Sequence, residues 1–452
     1  MTMELKNKRV LVVGLGRSGI AAARFLRERG ARVTVSDSRS AEALAREIPA
    51  LMDAGIMVET GGHGVLTFRR QDLLVVSPGV PVDTAELKQV RQLGVPVIGE
   101  LELASRFLEG QIVAITGSNG KTTTTTLVGE ILRQAGVPTL VGGNIGLPVI
   151  ELIAESRPET WNVLEVSSFQ LETVVEFRPR IAAVLNLTPD HLDRHGTFAA
   201  YAAAKTRITE QQDMEDFLVL NAEDKAVQMI AGKTRAQVYW FSPRRPIKQG
   251  AFVHGESIVW LAREGAAAEP VMPVREIRLK GAHNVENVLA AVAMGRLAGV
   301  SAEVIRSAVA AFGGVEHRLE PVRTRNGVEF YNDSKATNVD AAMKAVASFA
   351  GGVHLILGGK DKDSDYAEMR PMLRERVKAV YTIGSAAEKI TRQLGGVVKI
   401  EGAGTLAVAV TEAAKAAVPG DVVLLAPACS SFDQFENYEH RGRVFRELVL
   451  GL

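Results

Sequence analysis

The sequence predicts an α/β protein of three domains with mainly parallel sheets. Its length, 452 residues, corresponds to about three domains. Apolar, β-rich runs alternate with amphipathic stretches along the whole chain, the pattern of strand–helix–strand units. Two Gly-containing turns of nucleotide-binding type each follow a strand and open a helix. The totals exclude other classes. Apolar residues make up 46% and net charge is +1, so no basic nucleic-acid face is implied. No apolar run approaches the roughly 18 residues of a membrane span. The start, "MTMELKNKRV", has no apolar signal-peptide core. A single cysteine, Cys429, leaves no internal disulfide framework and fits a reducing compartment.

The first domain, expected over residues 1–99, opens with the strand and turn "VLVVGLGRSG". Gly14, Gly16 and Gly19 have the full G-x-G-x-x-G spacing, and the helix "IAAARFLRERG" follows. The strand "ARVTVSD" then ends at Asp37, where a dinucleotide enzyme places its ribose-binding acid. Read alone, this is the fingerprint of an NAD-dependent dehydrogenase. It equally describes any diphosphate held on a Gly loop and a helix N-terminus.

The second domain, expected over residues 100–313, begins with "QIVAITG", then "SNGKTT", then "TTTLVGEILRQAG". This is strand, turn and helix with the geometry of a phosphate loop. Lys121 would reach the phosphates and Thr122 a Mg²⁺ ion. The strict G-x-x-x-x-G-K-[ST] pattern fails at Ile115. A threonine run is poor helix material, so packing or ligand must hold the helix start. A simple dehydrogenase has no use for this second loop. The segment "FSPRRPIKQGAFVHGESIVWLAREG" is expected to form a loop and hairpin.

"LEVSSFQLE" places Glu165 in an apolar strand, where an unpaired carboxylate costs several kcal/mol. "NLTPDHLDRH" adds Asp190, His191, Asp193 and His195. An oxygen-rich set beside a phosphate loop suits Mg²⁺; a solvated loop or an H-x-D-x-H zinc site are the other readings. Lys205, in "YAAAKTRI", reads by itself as a helix-surface lysine. The third domain, expected over residues 314–452, follows with polar clusters, several of them after strand ends: "EHRLE", "YNDSKATN", "LGGKDKDSD" and "PACSSFDQFENYEHRG". Cys429 in the last reads as a nucleophile or as a small strand-end apolar residue.

Taken together, "GSNGKTT", "EVSSFQ", "NLTPDHLDRH", "YAAAKTRI", "GAHNVENVLAA", "EHRLE", "NDSKATN" and "PACSSFDQF" occur in a characteristic order. Over essentially its whole length the chain resembles the Mur ligases, ATP-dependent amino-acid ligases of peptidoglycan synthesis. The likeness is greatest to the branch that adds D-glutamate. The resemblance implies a Rossmann-like N-terminal domain, a central P-loop ATPase-type domain and a Rossmann-like C-terminal domain. It implies that the N-terminal Gly loop holds the UDP part of UDP-N-acetylmuramoyl-L-alanine rather than NAD. The contacts would be Gly14, Gly16, Arg17, Ser18, Asp37, Arg39 and Gly79, with Asn144 nearby. ATP would meet Gly117, Ser118, Asn119, Gly120, Lys121, Thr122, Thr123, Asn284, Arg318 and Asp333.

The implied catalytic set is Lys121, Glu165, His191, Lys205 and Lys335. Of two Mg²⁺ ions, one would be held by Thr122 and Glu165 and the second by His191. Lys205 matches a lysine that the family carbamylates, which turns a cation into a carboxylate-like Mg²⁺ ligand. D-Glutamate would be bound by Thr337, Lys362, Ser431 and Tyr438, the last where these enzymes often have Phe. A cytoplasmic monomer without nucleic-acid partners is expected. The alternatives are a sister ligase adding L-alanine or a diamino acid, and an NAD-dependent dehydrogenase.

Overall fold

The computed structural model describes residues 3–62 and 64–452. The chain forms two compact units, Met1–Met272 with Leu289–Ala308, and Pro273–Val288 with Val309–Leu452. The division falls inside the helix Ala282–Leu297. Among the described residues, no helix is long and apolar enough to cross a membrane.

The first unit holds two sheets. The first contains β1 (Arg9–Val13), β2 (Arg32–Asp37), β3 (Met57–Thr60), β4 (Leu73–Val76) and β5 (Val97–Gly99), in the order β3-β2-β1-β4-β5. All its pairings are parallel. β1 and β4 are apolar on both faces, because helices cover both sides of such a sheet. The order reverses at β1, so a crevice opens past its carboxyl end.

The second sheet contains β6 (Gln111–Thr116), β7 (Thr139–Gly143), β8 (Trp161–Glu165), β9 (Ile181–Val184), β10 (Phe217–Asn221), β11 (Gln237–Ser242), β12 (Gly250–His254), β13 (Ser257–Leu261) and β14 (Glu269–Pro273). Its order is β14-β13-β12-β11-β10-β9-β6-β8-β7. From β7 to β12 every pairing is parallel. The expected hairpin is β12 and β13, antiparallel around Gly255 and Glu256. The chain also reverses direction across the sheet at β6, the strand that leads into the Gly-Lys turn. One buried core runs from Val10, Val12 and Leu26 under the first sheet, through Leu101 and Leu103, to Ala114 and Leu164 in the second.

The second unit holds β15 (Glu320–Arg325), β16 (Val328–Asn332), β17 (Val353–Gly358), β18 (Val377–Ile383), β19 (Lys399–Gly404) and β20 (Val422–Leu425). The order is β15-β16-β20-β17-β18-β19, with only β15–β16 antiparallel. In all three sheets sequence-predicted polar clusters follow the carboxyl ends of strands, the side on which α/β sheets bind ligands; "EHRLE" instead leads into β15.

Candidate active site

At the end of β1 the chain turns through Gly14, at φ 90°, into the helix Arg17–Glu28. An L-residue at Gly14 would be strained and would also meet the Val80 side chain. Ser77, just past β4, donates its hydroxyl to the Gly14 carbonyl at 2.7 Å and so ties the two strand ends together. Between them lies a cleft of about 700 Å³. Its walls bring together Gly14, Gly16, Arg17, Ser18, Asp37, Arg39 and Gly79 with Asn144 from the second sheet. All eight residues expected at a UDP site therefore line one cleft.

Asp37 is more occupied than its motif implies. Its carboxylate accepts the Leu15 N–H at 2.7 Å, the Arg39 N–H at 2.9 Å, and Arg39 Nε and Nη2 at 3.0 and 2.9 Å. Those four bonds fill a carboxylate's roughly four acceptor positions. Burial raises the Asp37 pKa, but the Arg39 guanidinium and these donors outweigh it and hold the group down at about 2.

The phosphate loop follows β6. Gly117 (φ 150°) and Gly120 (φ 84°) take backbone angles that only glycine adopts freely, and the helix Lys121–Gln134 starts immediately after. Lys121 Nζ donates to the carbonyls of Gly117 and Ser118, both at 2.8 Å. Asn186 clamps the loop from β9. Its side chain accepts the Asn119 N–H at 2.8 Å and donates to the Asn119 carbonyl at 3.0 Å, and its own carbonyl accepts the Ser118 N–H. Two loop amides are thus engaged within the protein. The threonine run is held by packing: Thr122–Thr125 are all buried, and the Thr124 and Thr125 hydroxyls have no hydrogen-bond partner.

Glu165, at the end of β8, is 1% exposed. One carboxylate oxygen accepts the Thr122 hydroxyl at 2.7 Å and the other the Asn144 amide at 2.8 Å. Asn144 lines the cleft and Thr122 belongs to the phosphate loop, so one carboxylate joins the two sites. The close turn at Gly143 (φ 106°) permits this, since a Cβ there would strike the Glu165 carbonyl.

Lys205, on the helix Phe198–Thr206, is buried rather than at the surface. Its Nζ lies 3.3 Å from Thr116 Oγ1 and 4.9 Å from the Tyr201 ring centroid. Burial and the charge of Lys121 push its amine well below the usual lysine range, against Asp190 and Glu165. His191 has left-handed backbone (φ 52°). Its Nε2 lies 3.7 Å from Asp190 Oδ2, and its ring packs edge-on against Phe169. His195 turns instead to Ser168 and Glu172. Among the described residues no group of three or more His, Cys, Asp and Glu forms a metal cage. A sparse set of mainly oxygen donors, Thr122, Glu165 and Asp190 with one imidazole, fits Mg²⁺ bound partly through substrate phosphates and water, and fits a zinc site poorly.

The second unit gathers the remaining candidates. Asn284 is buried near the start of its helix, donating to the Lys280 carbonyl and accepting from Asn287. Arg318 lies between His317 and Leu319, both with positive φ. Burial pushes the Asp333 carboxyl up to about 7, against the Arg318 charge and a Leu319 N–H bond. Lys335 Nζ sits 3.7 Å from the centroid of the Tyr438 ring, a cation–π contact. Thr337 N–H bonds the Lys335 carbonyl. Lys362 lies on the turn after β17, and Ser431 is buried on the turn after β20.

Cys429 is buried against the Tyr366 hydroxyl, 2.9 Å away, and burial raises its thiol to about 11. It is a packed apolar residue, not a nucleophile. Sequence reasoning missed Asn186, though its motif contained it, and Arg441. The Arg441 guanidinium is fully buried and bonds Ser334 and the carbonyls of Cys429 and Ser430. A lone arginine on a helix carries no sequence signal of such a role.

Residues 8–99 match the Mur ligase MurD-like, N-terminal domain, residues 115–295 the Mur ligase middle domain, and residues 317–429 the Mur ligase, glutamate ligase domain. The chain is 66% identical to the UDP-N-acetylmuramoylalanine--D-glutamate ligase of Acidobacterium capsulatum, over 99% of this chain and 97% of that protein. Its identity to the enzyme of the same name from Koribacter versatilis is 59%, over 99% and 98%. Among solved structures, a pseudomurein peptide ligase type C from Methanothermus fervidus aligns with TM-score 0.62 at 19% identity, covering 98% of this chain and 100% of that one. The MurF ligase of Thermotoga maritima in complex with ADP aligns with TM-score 0.60 at 16% identity, over 100% of both chains. At such identities the structural likeness shows the fold alone. With curated relatives this similar over nearly the full length of both chains, the protein belongs to the Mur ligase family.

Proposed function

We infer that this chain joins D-glutamate to UDP-N-acetylmuramoyl-L-alanine, converting ATP to ADP and phosphate, in peptidoglycan precursor synthesis. The observation that carries this reading is the Asn144–Glu165–Thr122 link, which joins the wall of the Gly-loop cleft to the phosphate loop. A dehydrogenase needs no such junction. A ligase must bring a UDP-borne carboxylate up to the γ-phosphate of ATP.

The alanyl carboxylate attacks the γ-phosphorus and ADP leaves, giving an acyl phosphate. The neutral amine of D-glutamate then attacks the acyl carbon, the amide forms, and phosphate leaves as the nitrogen loses its proton. Two anions meet in the first step, so cationic and N–H groups must offset repulsion and hold the developing charge. Lys121 and the helix N-terminus behind it are assigned that role. Thr122 and Glu165 would hold one Mg²⁺, and His191 with a carbamylated Lys205 a second; bound there, Mg²⁺ supplies charge that draws electron density off the phosphates. Burial favours the uncharged Lys205 amine, the form that reacts with CO₂. Asn284, Arg318 and Asp333 are assigned to ATP, Lys335 to the phosphates, and Thr337, Lys362, Ser431 and Tyr438 to D-glutamate. Domain borders at residues 99/100 and 313/314, a monomeric state and a cytoplasmic site of action complete the reading.

The test is a screen of amino acids for phosphate release with UDP-N-acetylmuramoyl-L-alanine and ATP. D-Glutamate is expected to be used at least about a hundredfold better, by kcat/KM, than L-alanine or a diamino acid, a discrimination of about 3 kcal/mol. Preference for either of the others would overturn the substrate assignment.

A further inference from the structure

The turn after β17 reads Lys360, Asp361, Lys362, Asp363, Ser364, Asp365. The cation assigned to the dicarboxylate substrate therefore stands between two acids. Each acid would draw the Lys362 ammonium to itself and repel a carboxylate ligand. Lys389, from the separate helix Ala387–Leu394, meets both: its Nζ lies 2.7 Å from Asp361 Oδ2 and 3.1 Å from Asp363 Oδ1.

The turn is built to hold that arrangement. Asp361 also accepts the Tyr366 hydroxyl at 2.8 Å and the Ser364 N–H at 3.2 Å. Asp363 adopts left-handed backbone, φ 59°. Lys360 exchanges backbone bonds with Ser430, next to the candidate contact Ser431. The Lys389 ammonium has little freedom to leave, since its side chain is only 23% exposed.

We propose that Lys389 is a positioning residue for amino-acid recognition, neutralising Asp361 and Asp363 so that Lys362 remains available to a dicarboxylate substrate. The inference rests on the assignment of Lys362 to D-glutamate. It predicts an electrostatic effect confined to the amino acid, because neither acid is assigned to ATP or the UDP substrate.

Steady-state kinetics of the full-length enzyme test it. Lys389→Gln should raise the KM for D-glutamate about three- to tenfold at low ionic strength, the scale of one partly buried ion pair with Asp361 and a weaker one with the fully exposed Asp363. The KM for ATP and kcat should stay within about twofold. Two reversals distinguish charge from structure. The ratio of mutant to unmutated KM should shrink toward one in about 0.5 M salt. Adding Asp363→Asn, which suits the left-handed position, should restore part of the loss. An unchanged KM in Lys389→Gln, or a rise that neither salt nor Asp363→Asn reverses, overturns the proposal. Lys362→Ala, measured in parallel, separates the two readings. If it leaves the D-glutamate KM unchanged, the Lys362 assignment fails, and the proposal with it. If it raises that KM while Lys389→Gln does not, the role of Lys389 alone falls.

Discussion

Lys205 is 2% exposed, and a buried ammonium beside the positive Lys121 is poorly placed to help a metal site. As a carbamate the same side chain would offer a Mg²⁺ ion negative charge in place of a cation. Loss of groups that merely support a metal ligand costs about 10- to 100-fold in activity. Lys205→Ala should therefore lower kcat by at least roughly a hundredfold, with partial recovery on adding small carboxylates such as acetate. Binding of UDP-N-acetylmuramoyl-L-alanine, measured by calorimetry, should stay near normal. A fully active Lys205→Ala enzyme would refute the role. Nothing in "YAAAKTRI" marked this lysine as buried. Its burial arises from contacts with Thr116 and Tyr201, which sequence periodicity does not report.

At the scale of an element, the turn from β1 into the helix Arg17–Glu28 assigns each glycine a separate task. A Cβ on Gly19 would strike the Gly14 carbonyl and the Ser77 hydroxyl, whereas one on Gly16 meets nothing within 4 Å. Gly16→Ala should keep stability within about 1 kcal/mol yet weaken UDP-substrate binding, since Gly16 lines the cleft assigned to that substrate. Gly19→Ala should lower both stability and affinity, with overpacking alone costing about 1–3 kcal/mol. Thermal melts paired with calorimetry check this. A destabilised Gly16→Ala, or one that binds normally, would contradict the assigned roles. Strands, helices and both Gly turns were legible because each has a local signature: apolar runs, 3.6-residue periodicity, glycines at fixed offsets. The Asn186 clamp and the Glu165 bridge were not legible as contacts. Both depend on which strands become neighbours of β6, and sheet order is set by packing of the whole chain.

At the scale of the whole molecule, the acids buried in the fold give stability a particular pH dependence. Glu100 follows β5; one oxygen accepts the Ile150 N–H at 2.7 Å and the other is buried without a partner. Burial, aided by Glu151, raises its pKa to about 7. From about 4.5 to 7 the unfolded chain has lost this proton and the folded chain retains it. Stability contributed by this group therefore falls as pH rises through that window and is level above it. Glu100→Gln removes the titration. The melting temperature of the variant relative to the unmutated enzyme should therefore rise between pH 5 and pH 8, by a free energy of at most ~3 kcal/mol. Asp333 titrates in the same direction but cancels in the difference. A pH-independent difference would show that Glu100 is ionised throughout.

The saturated carboxylate of Asp37 has a consequence for life in a mixed nucleotide pool. Free dinucleotides are abundant in cells, and a G-x-G-x-x-G turn ending at an acid is the form they recognise. Here the acid's acceptor positions are filled by Leu15 and Arg39, so a ribose hydroxyl could bond to it only by displacing an internal donor. The group that would reward an NAD ribose is already engaged within the protein. A dinucleotide would therefore gain less from this turn than its glycine spacing offers, and the difference lies in one internal ion pair.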